Sequence, residues 1–255
     1  KESGKQIWQI DDHGAANIWL IEGNDSALII DAGMGSADLV AQVRKLTVKP
    51  LIVVNTHGHP DHVGADYQFR TVYIHPADLK MAESLNTPER RESAAKNMLK
   101  GQSPTENEKY KGIQYDTRFI PVKENYIFDL GGRKLKVIET PGHTPGGISL
   151  LDEKNKLLFT GDNNNTLVWL FLPECKPLHV YLETLEKQAG MIGSFTTIFP
   201  GHGGPVASDF ILDQIKCVKG ILDNSLEAKP YESFAGKAMI STFGRSSVTF
   251  NPANL

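Results

Sequence analysis

Three histidines and an aspartate lie within a stretch of six residues, directly after a short apolar run. The apolar run is Leu51–Val54, and the segment after it reads Thr56-His57-Gly58-His59-Pro60-Asp61-His62. A continuous apolar run of this length is typical of a strand that is buried on both faces. In an extended loop, alternate residues project to the same side, so His57 and His59 are expected to face one position. Imidazole and carboxylate ligands suit a borderline cation such as zinc, and the segment therefore predicts a metal site.

Gly58 and Pro60 are expected to shape this loop. Gly58 permits unusual backbone dihedral angles. Pro60 favours an extended conformation at His59 and makes the chain turn. Asp61 and His62 are then expected to face a second position beside the first, so the loop contributes to two neighbouring metal positions.

Three single residues further along the chain extend this candidate ligand set, and each follows a predicted strand. The residues are His143, Asp162 and His202, and the strands before them are Lys134–Glu139, Leu157–Thr160 and Thr197–Phe199. Each residue alone is a weak signal, and its meaning comes from the order in which the three follow the His-rich loop. Ligands in α/β folds gather at strand ends, so we expect all these loops to open onto one rim.

The apolar periodicity predicts strands followed by helices in each half of the chain. In the first half, the predicted elements are strands at Ile7–Ile10, Asn17–Glu22, Ser26–Asp31 and Leu51–Val54, and a helix at Ala37–Leu46 capped by Ser36. In the second half, they are strands at Tyr126–Leu130, Lys134–Glu139, Ile148–Leu151, Leu157–Thr160 and Thr197–Phe199, and helices at Val180–Gln188 and Asp209–Leu222. This order predicts an α/β (α+β) fold with two sheets face to face and helices outside, a four-layer αββα sandwich.

Two segments lie outside this plan, although we predict a single domain over residues 1–255. Pro76–Arg118 is polar and helical in character, and it is predicted to be an inserted lid. Ala228–Leu255 does not have a helix pattern, and it is predicted to be a tail that lies across the surface.

The composition argues against several classes of partner and against a disulfide scaffold. The formal net charge is −3 and there is no dense run of Lys or Arg, which argues against a nucleic-acid partner. No apolar stretch approaches the roughly 20 residues that span a bilayer, so no membrane is expected. Cys175 and Cys217 are too few for a disulfide scaffold and are expected to be free thiols. We expect a soluble protein, either cytoplasmic or exported after removal of a leader, and its oligomeric state stays open.

The ordered motifs resemble the metallo-β-lactamase superfamily. The resemblance covers roughly Ile7 to Leu222 and rests on a His-X-His-X-Asp-His loop, a Gly-His-Thr loop, a Gly-Asp strand end and a Pro-Gly-His-Gly loop. Carried over by position, it assigns His57, His59 and His143 to one metal ion, Asp61, His62 and His202 to another, and Asp162 to both. It also implies that Asp31 orients a ligand loop from behind the ligands.

Two positions favour one branch of that superfamily. The true β-lactamases with two zinc ions typically use a cysteine near the position of Asp162, so the chain looks more like the branch of hydroxyacylglutathione hydrolases (glyoxalase II), lactonases and related esterases. The flavo-diiron relatives typically carry Glu at the position of His59, so His59 favours zinc over redox iron.

The resemblance implies a dinuclear zinc hydrolase that cleaves an ester, thioester or lactone through a metal-bridging hydroxide. Asp61 and Asp162 are the predicted catalytic residues, because they lower the positive charge of the site and orient the hydroxide. Iron or manganese are alternative metals. The alternative functions are a mononuclear iron enzyme similar to persulfide dioxygenases, cleavage of a β-lactam or phosphodiester, and metal binding without catalysis.

A small-molecule substrate is expected to bind between the lid Pro76–Arg118 and the apolar loop Leu167–Pro173. Within that loop, Trp169 and Phe171 are candidates for contact with an acyl or ring group. The sequence leaves open whether these two residues line the pocket or belong to the core.

Overall fold

The computed structural model describes residues 6–85, 87–98 and 109–255. The sequence predicted one domain, and the chain divides by its internal contacts into two compact units, Lys1–Val137 and Ile138–Leu255.

The first unit contains a six-stranded sheet with the order β1-β2-β3-β4-β5-β6. The strands are β1 (Ile7–Asp11), β2 (Asn17–Glu22), β3 (Ala27–Ile30), β4 (Leu51–Val54), β5 (Thr71–Ile74) and β6 (Arg118–Pro121). The first three pair antiparallel, and β3 to β6 pair parallel. The helices of this unit are α1 (Leu39–Arg44), α2 (Pro60–Val63), α3 (Pro76–Leu85) and α4 (Pro88–Met98).

The His-rich segment follows β4, as the sequence predicted. Each residue of the central strand β3 is buried. β4 pairs with β3, and the His-rich segment begins directly after β4 ends. The helix before β4 is shorter than predicted, and its cap is Asp38 rather than Ser36. The Asp38 side chain accepts a hydrogen bond from the amide of Ala41 at 2.8 Å, which satisfies one of the free amides at the helix start.

The predicted lid contains α3 and α4 and ends where β6 begins. Its residues 86 and 99–108 lie outside the described part of the chain. On α3, Leu79 and Ala82 pack with Val63 and Ile74 in a small apolar cluster. This helix is therefore part of the packed body of the first unit.

Strands β7 (Ile127–Asp129) and β8 (Lys134–Glu139) form an antiparallel hairpin, and the boundary between the units falls within β8. The second unit has strands β9 (Ile148–Asp152), β10 (Leu157–Gly161), β12 (Thr197–Pro200) and β13 (Val206–Ala207) in the order β13-β12-β10-β9. Its helices, α5 (Leu178–Ala189) and α6 (Phe210–Leu222), pack against each other around the apolar core of this unit.

The structure corrects two predictions for the second unit. The predicted tail folds into β14 (Lys229–Ser233), β15 (Gly236–Phe243) and β16 (Ser246–Phe250), and the predicted loop Leu167–Pro173 contains β11 (Leu167–Leu170). These strands form a sheet with the order β11-β16-β15-β14, in which β11 and β16 pair parallel. Val248 and Phe250 of β16 enter the core, so the tail is held by burial that its sequence pattern did not reveal.

Among the described residues, no helix has the length and apolar character needed to cross a membrane.

Candidate metal centre

The His-rich segment brings four donor side chains together. We call His57, His59, Asp61 and His62 the N-terminal donor set. His57 Nε2 and His59 Nδ1 are 3.2 Å apart, and Asp61 Oδ2 and His62 Nε2 are 3.5 Å apart. The ring centroids of His57 and His62 are separated by 4.1 Å. All four side chains are buried, so the segment turns its polar groups inward.

Pro60 sets the backbone of this segment. His59 has φ −74° and ψ 154°, the extended conformation that the following proline predicted. Pro60 then begins α2, because its fixed φ suits the first position of a helix. Asp61 and His62 therefore project from a helical turn, whereas His57 and His59 project from extended chain.

Gly58 is needed for a different reason from the one predicted. Its backbone does not have a positive φ. A Cβ at this position would lie 2.9 Å from the carbonyl oxygen of Asp78 and 3.2 Å from Cβ of Met81, both on α3. The Gly58 amide also donates to Oδ2 of the buried Asp78 at 3.1 Å. Glycine thus allows the ligand loop to lie against α3.

Asp31 holds the His-rich segment from behind its candidate donor atoms. Its Oδ2 lies 2.9 Å from His62 Nδ1, and its Oδ1 accepts a hydrogen bond from the Thr56 amide at 2.7 Å. Thr56 Oγ1 lies 3.0 Å from His57 Nδ1. Asp31 has φ +63°, a left-handed conformation that is uncommon outside glycine and that persists only where the surroundings hold it. The carboxylate therefore fixes the orientation of His62 directly and that of His57 through Thr56.

The second unit brings three further donors together. We call His143, Asp162 and His202 the C-terminal donor set. Asp162 Oδ2 lies 3.5 Å from His143 Nε2 and 3.2 Å from His202 Nε2. One carboxylate oxygen thus faces both imidazoles. His143 is buried, while the His202 side chain is 34% exposed.

Parallel pairing of β10 with β12 brings two of these donors side by side. Gly161 at the end of β10 pairs with Pro200, and the amide of Gly201 donates to the Gly161 carbonyl at 2.7 Å. Gly161 has φ +51°, which glycine tolerates and which turns the chain at this point. Asp162 and His202 therefore both leave the sheet at the same edge.

Asparagines that follow Asp162 hold the other two ligand loops. Asn163 Oδ1 accepts a hydrogen bond from the amide of His143 at 3.0 Å, and Asn165 Oδ1 accepts one from the amide of His202 at 3.0 Å. The run after Asp162 thus fixes the backbone of each histidine in its set.

Asn164, between the two asparagines Asn163 and Asn165, is bonded to the core of the second unit. Asn164 is fully buried, and its amide nitrogen donates to Gln214 Oε1 at 2.7 Å and to Gln188 Oε1 at 3.1 Å. Tyr181 donates from its hydroxyl to the carbonyl of Asn163 at 2.5 Å. Burial raises the pKa of Tyr181, so the hydroxyl keeps its proton and remains a donor. The two asparagine clamps are therefore anchored to α5 and α6.

His143 has a further partner behind its ring. Its Nδ1 lies 2.6 Å from the carbonyl oxygen of Trp169 in β11. The Cys175 thiol donates to the carbonyl of His143 at 3.1 Å. Burial raises the pKa of Cys175 to about 12, so this cysteine is a neutral packing group and not a nucleophile.

The donor atoms fit metal ligation in two respects. Tetrahedral zinc with arms of about 2.0–2.1 Å places neighbouring donor atoms roughly 3.3–3.4 Å apart. The four donor separations given above, two in each set, range from 3.2 to 3.5 Å. Nδ1 of His62 faces a carboxylate and Nδ1 of His143 faces a carbonyl, which leaves Nε2 of each ring for a metal.

The predicted pocket residues, Trp169 and Phe171, are members of an aromatic cluster in the second unit. Their ring centroids are 5.2 Å apart. Val168 and Leu170 on either side of Trp169 belong to the core, so β11 turns the Trp169 ring to its other face, and Phe171, one residue past the end of the strand, packs against that ring.

Sequence reasoning missed the residues that support the candidate ligands. Thr56, Asp78, Asn163 and Asn165 each make a hydrogen bond to a ligand or to the backbone of a ligand loop. The run of three asparagines after a candidate ligand was a usable signal, because short amide side chains bond readily to nearby backbone. Asp78 gave no local signal, since it acts across 20 residues of chain.

A family model supplies the identification. The model described as the metallo-beta-lactamase superfamily matches residues 11–214. The chain belongs to the metallo-β-lactamase superfamily. The resemblance that the motifs indicated is confirmed, and with it the mixed α/β fold class of this superfamily.

Curated relatives of this superfamily member include two named enzymes. The chain is 30% identical over 208 residues to the acyl-coenzyme A thioesterase MBLAC2 of Homo sapiens, covering 73% of this chain and 72% of that protein. It is 30% identical over 155 residues to the hydroxyacylglutathione hydrolase GloC of Haemophilus influenzae, covering 57% of this chain and 63% of that protein.

A solved metallo-β-lactamase superfamily structure from Sulfolobus tokodaii has the same fold. It aligns with a TM-score of 0.59 at 24% identity and covers 90% of each chain.

Proposed function

We propose that this superfamily member is a dinuclear zinc hydrolase of thioesters, with esters and lactones as chemically related substrates. Family membership, together with the thioesterase and the hydroxyacylglutathione hydrolase among its relatives, makes the chain a metallo-hydrolase. The observation that carries the zinc assignment is the donor geometry, because neighbouring donor atoms in both sets have separations suited to tetrahedral zinc.

In this proposal the two donor sets hold one pair of zinc ions. His57, His59 and His143 would hold the first ion, and Asp61, His62 and His202 the second. Asp162 would contact both, which agrees with the approach of its Oδ2 to both imidazoles of its own set. The chemistry supplied by two bound zinc ions is a hydroxide nucleophile at neutral pH and polarisation of the scissile carbonyl.

The residues of the chain prepare the site for that chemistry. Asp31 holds the Nδ1 side of His62, so that His62 presents Nε2. The Trp169 carbonyl does the same for His143. Asp61 and Asp162 would lower the positive charge of the site, and Asp61 would orient the nucleophile as a hydrogen-bond acceptor. No cysteine nucleophile is required, in keeping with the raised pKa of Cys175.

A thioester is favoured over other bonds by the relatives. The human relative is named as an acyl-coenzyme A thioesterase, and the bacterial relative is named for hydrolysis of hydroxyacylglutathione, which is also a thioester. Hydrolysis of a thioester breaks the bond between carbonyl carbon and sulfur, adds water across it, and releases a carboxylic acid and a thiol.

The test combines metal analysis with a substrate panel. We expect protein loaded with zinc to bind two ions per chain, to hydrolyse acyl thioesters, and to lose activity with a chelator and regain it with zinc. His143→Ala should remove activity and lower the zinc content, whereas His179→Ala, at an exposed histidine, should change neither. Hydrolysis of a β-lactam or phosphodiester without thioester hydrolysis, or activity that survives complete metal removal, would contradict the proposal.

A further inference from the structure

Four aromatic side chains form one connected cluster on the C-terminal sheet. Trp169 of β11 is its hub, with ring centroids 5.2 Å from Phe171, 5.5 Å from Phe234 and 6.4 Å from Tyr231. Phe171 and Tyr231 are 6.2 Å apart. We call these four residues the aromatic wall.

The aromatic wall occupies the sheet face that does not pack on the core. Val168 and Leu170 of β11 are in the core, so Trp169 between them points the other way. In register across the sheet, Trp169 pairs with Thr249, Thr249 with Ile240, and Ile240 with Lys229, which lies two residues before Tyr231 on β14. Tyr231 is therefore brought to the same face by strand pairing.

Exposure of the aromatic wall increases from one end to the other. Phe171 is 8% exposed, Trp169 and Tyr231 are partly buried, and Phe234 in the turn after β14 is 62% exposed. A connected apolar surface of this kind marks a binding site more often than does a single exposed apolar residue.

The aromatic wall is tied to the C-terminal donor set through one residue. The carbonyl of Trp169 lies 2.6 Å from Nδ1 of the proposed ligand His143, and the indole of the same residue is the hub of the wall. A group bound against the indole is therefore bound beside a residue that holds a ligand in place.

We infer that the aromatic wall binds the apolar acyl group of the thioester substrate, an inference that rests on the proposed function. The rings offer mostly apolar area, with the Tyr231 hydroxyl and the Trp169 indole N–H as its polar side-chain groups and no charged group among the four side chains, which suits a hydrocarbon chain and not a phosphate or carboxylate. A second protein copy is a poorer occupant. Even at about 250 Å² per ring, with only Phe234 mostly open, the accessible area falls well below the roughly 800 Å² per partner of a stable interface.

The inference assigns a specificity role to the segment that the sequence predicted to be a surface tail. Tyr231 and Phe234 belong to β14 and the turn that follows it, and both come after the last proposed ligand along the chain, His202. Burial of successive methylene groups on the rings should make catalytic efficiency rise with the length of the acyl chain.

The test compares acetyl-, hexanoyl- and decanoyl-coenzyme A as substrates of the zinc-loaded protein. The wild type should prefer the decanoyl over the acetyl thioester by at least about tenfold in kcat/KM. Phe234→Ala should lower the ratio of kcat/KM for the decanoyl thioester to kcat/KM for the acetyl thioester about tenfold, through the KM of the decanoyl thioester, with zinc content unchanged. Leu212→Ala is the matched control, because Leu212 is an exposed apolar residue of the same unit, 46% accessible, outside the cluster.

Trp169→Ala should have a larger effect of the same kind. If Trp169→Ala does not fold, the result for Phe234→Ala alone tests the inference. Turnover with the same chain-length preference in wild type and Phe234→Ala would overturn this inference and leave the proposed function standing. A wild-type dimer that Phe234→Ala abolishes, with chain-length preference unchanged, would overturn it in favour of a second copy. Zinc-loaded wild type that hydrolyses no thioester would overturn the proposed function and this inference with it.

Discussion

The side-chain oxygen of Asn165 accepts a hydrogen bond from the backbone amide of His202 at 3.0 Å. Asn163 makes the equivalent bond to the amide of His143 at 3.0 Å. The two asparagines flank Asn164, which is fully buried and bonded to side chains of α5 and α6. The loops of the second unit that carry the proposed ligands His143 and His202 are thus fixed to its core through a run of three residues.

The first prediction concerns this clamp. Asn165→Ala should weaken zinc binding about 10- to 100-fold, because groups that hold a ligand in place contribute that much to metal affinity. The measurement is competition with a chelator of known affinity. Asn155→Ala is the matched control, since Asn155 also bonds through its side chain but in a turn with Asp152, and zinc affinity should then be unchanged. Equal zinc affinity in the two variants would show that the clamp does not support the site.

A second prediction separates charge from backbone conformation at Asp31. Asp31→Asn keeps the size of the side chain and tolerates the left-handed φ, but removes the charge that faces His62. Zinc affinity should fall about 10- to 100-fold while the free energy of unfolding of the metal-free protein changes little. Asp31→Ala should lower both, because alanine suits that backbone conformation less well. Unchanged zinc affinity in Asp31→Asn would contradict the role given to its charge.

A third prediction concerns Asp61. Asp61→Ala should lower kcat about a hundredfold or more, because the nucleophile loses the carboxylate that orients it. Asp61 lies on the short helix α2 and not in an apolar core cluster, so the melting temperature of the metal-free protein should stay within a few degrees. Kinetics on zinc-loaded protein with a measured metal content provide the check. Near-normal turnover in that variant would rule the role out.

A fourth prediction concerns the pH dependence of stability. Asp66 is fully buried, and burial raises its pKa well above the ordinary value of about 3.9, although a hydrogen bond from Asn55 at 2.6 Å acts in the opposite direction. The native state therefore keeps this proton to higher pH than the unfolded state does. Its contribution to stability is complete below about pH 3.9 and is lost as pH rises through the native pKa.

Asp66→Asn should remove this loss, so that its free energy of unfolding falls less than that of the wild type as the pH rises from about 4. Urea denaturation at a series of pH values, with chelator present to exclude metal binding, measures the slope. Asp116→Asn, at an exposed aspartate, is the control and should behave as the wild type. A variant slope equal to that of the wild type would show that Asp66 is not the source.

The features that the sequence predicted correctly are those that depend on residues close together along the chain. The strand Leu51–Val54, the extended backbone at His59 and the loops that carry His143, Asp162 and His202 all follow from short patterns, and the structure has them at those positions. The cap of α1 was placed two residues early, because Ser36 and Asp38 are both good capping residues and only the fold chooses between them.

What the sequence did not predict depends on partners far along the chain. β11 and β16 stabilise each other although nearly 80 residues separate Val168 from its register partner Val248. The alternation of polar and apolar residues over Ser247–Phe250 is too short to predict a strand without that partner, and the sequence placed the apolar run Leu167–Leu170 in a loop. The same holds for Gly58, whose requirement comes from the approach of α3 and not from its own dihedral angles.

The central claim is that both donor sets hold one pair of zinc ions. Anomalous diffraction at the zinc absorption edge, from crystals of the zinc-loaded protein, tests it most directly. We expect two peaks roughly 3.5–4 Å apart. His57, His59 and His143 should surround one peak, Asp61, His62 and His202 the other, and Asp162 should contact both. A single peak, or two peaks that lie away from these residues, would contradict the account.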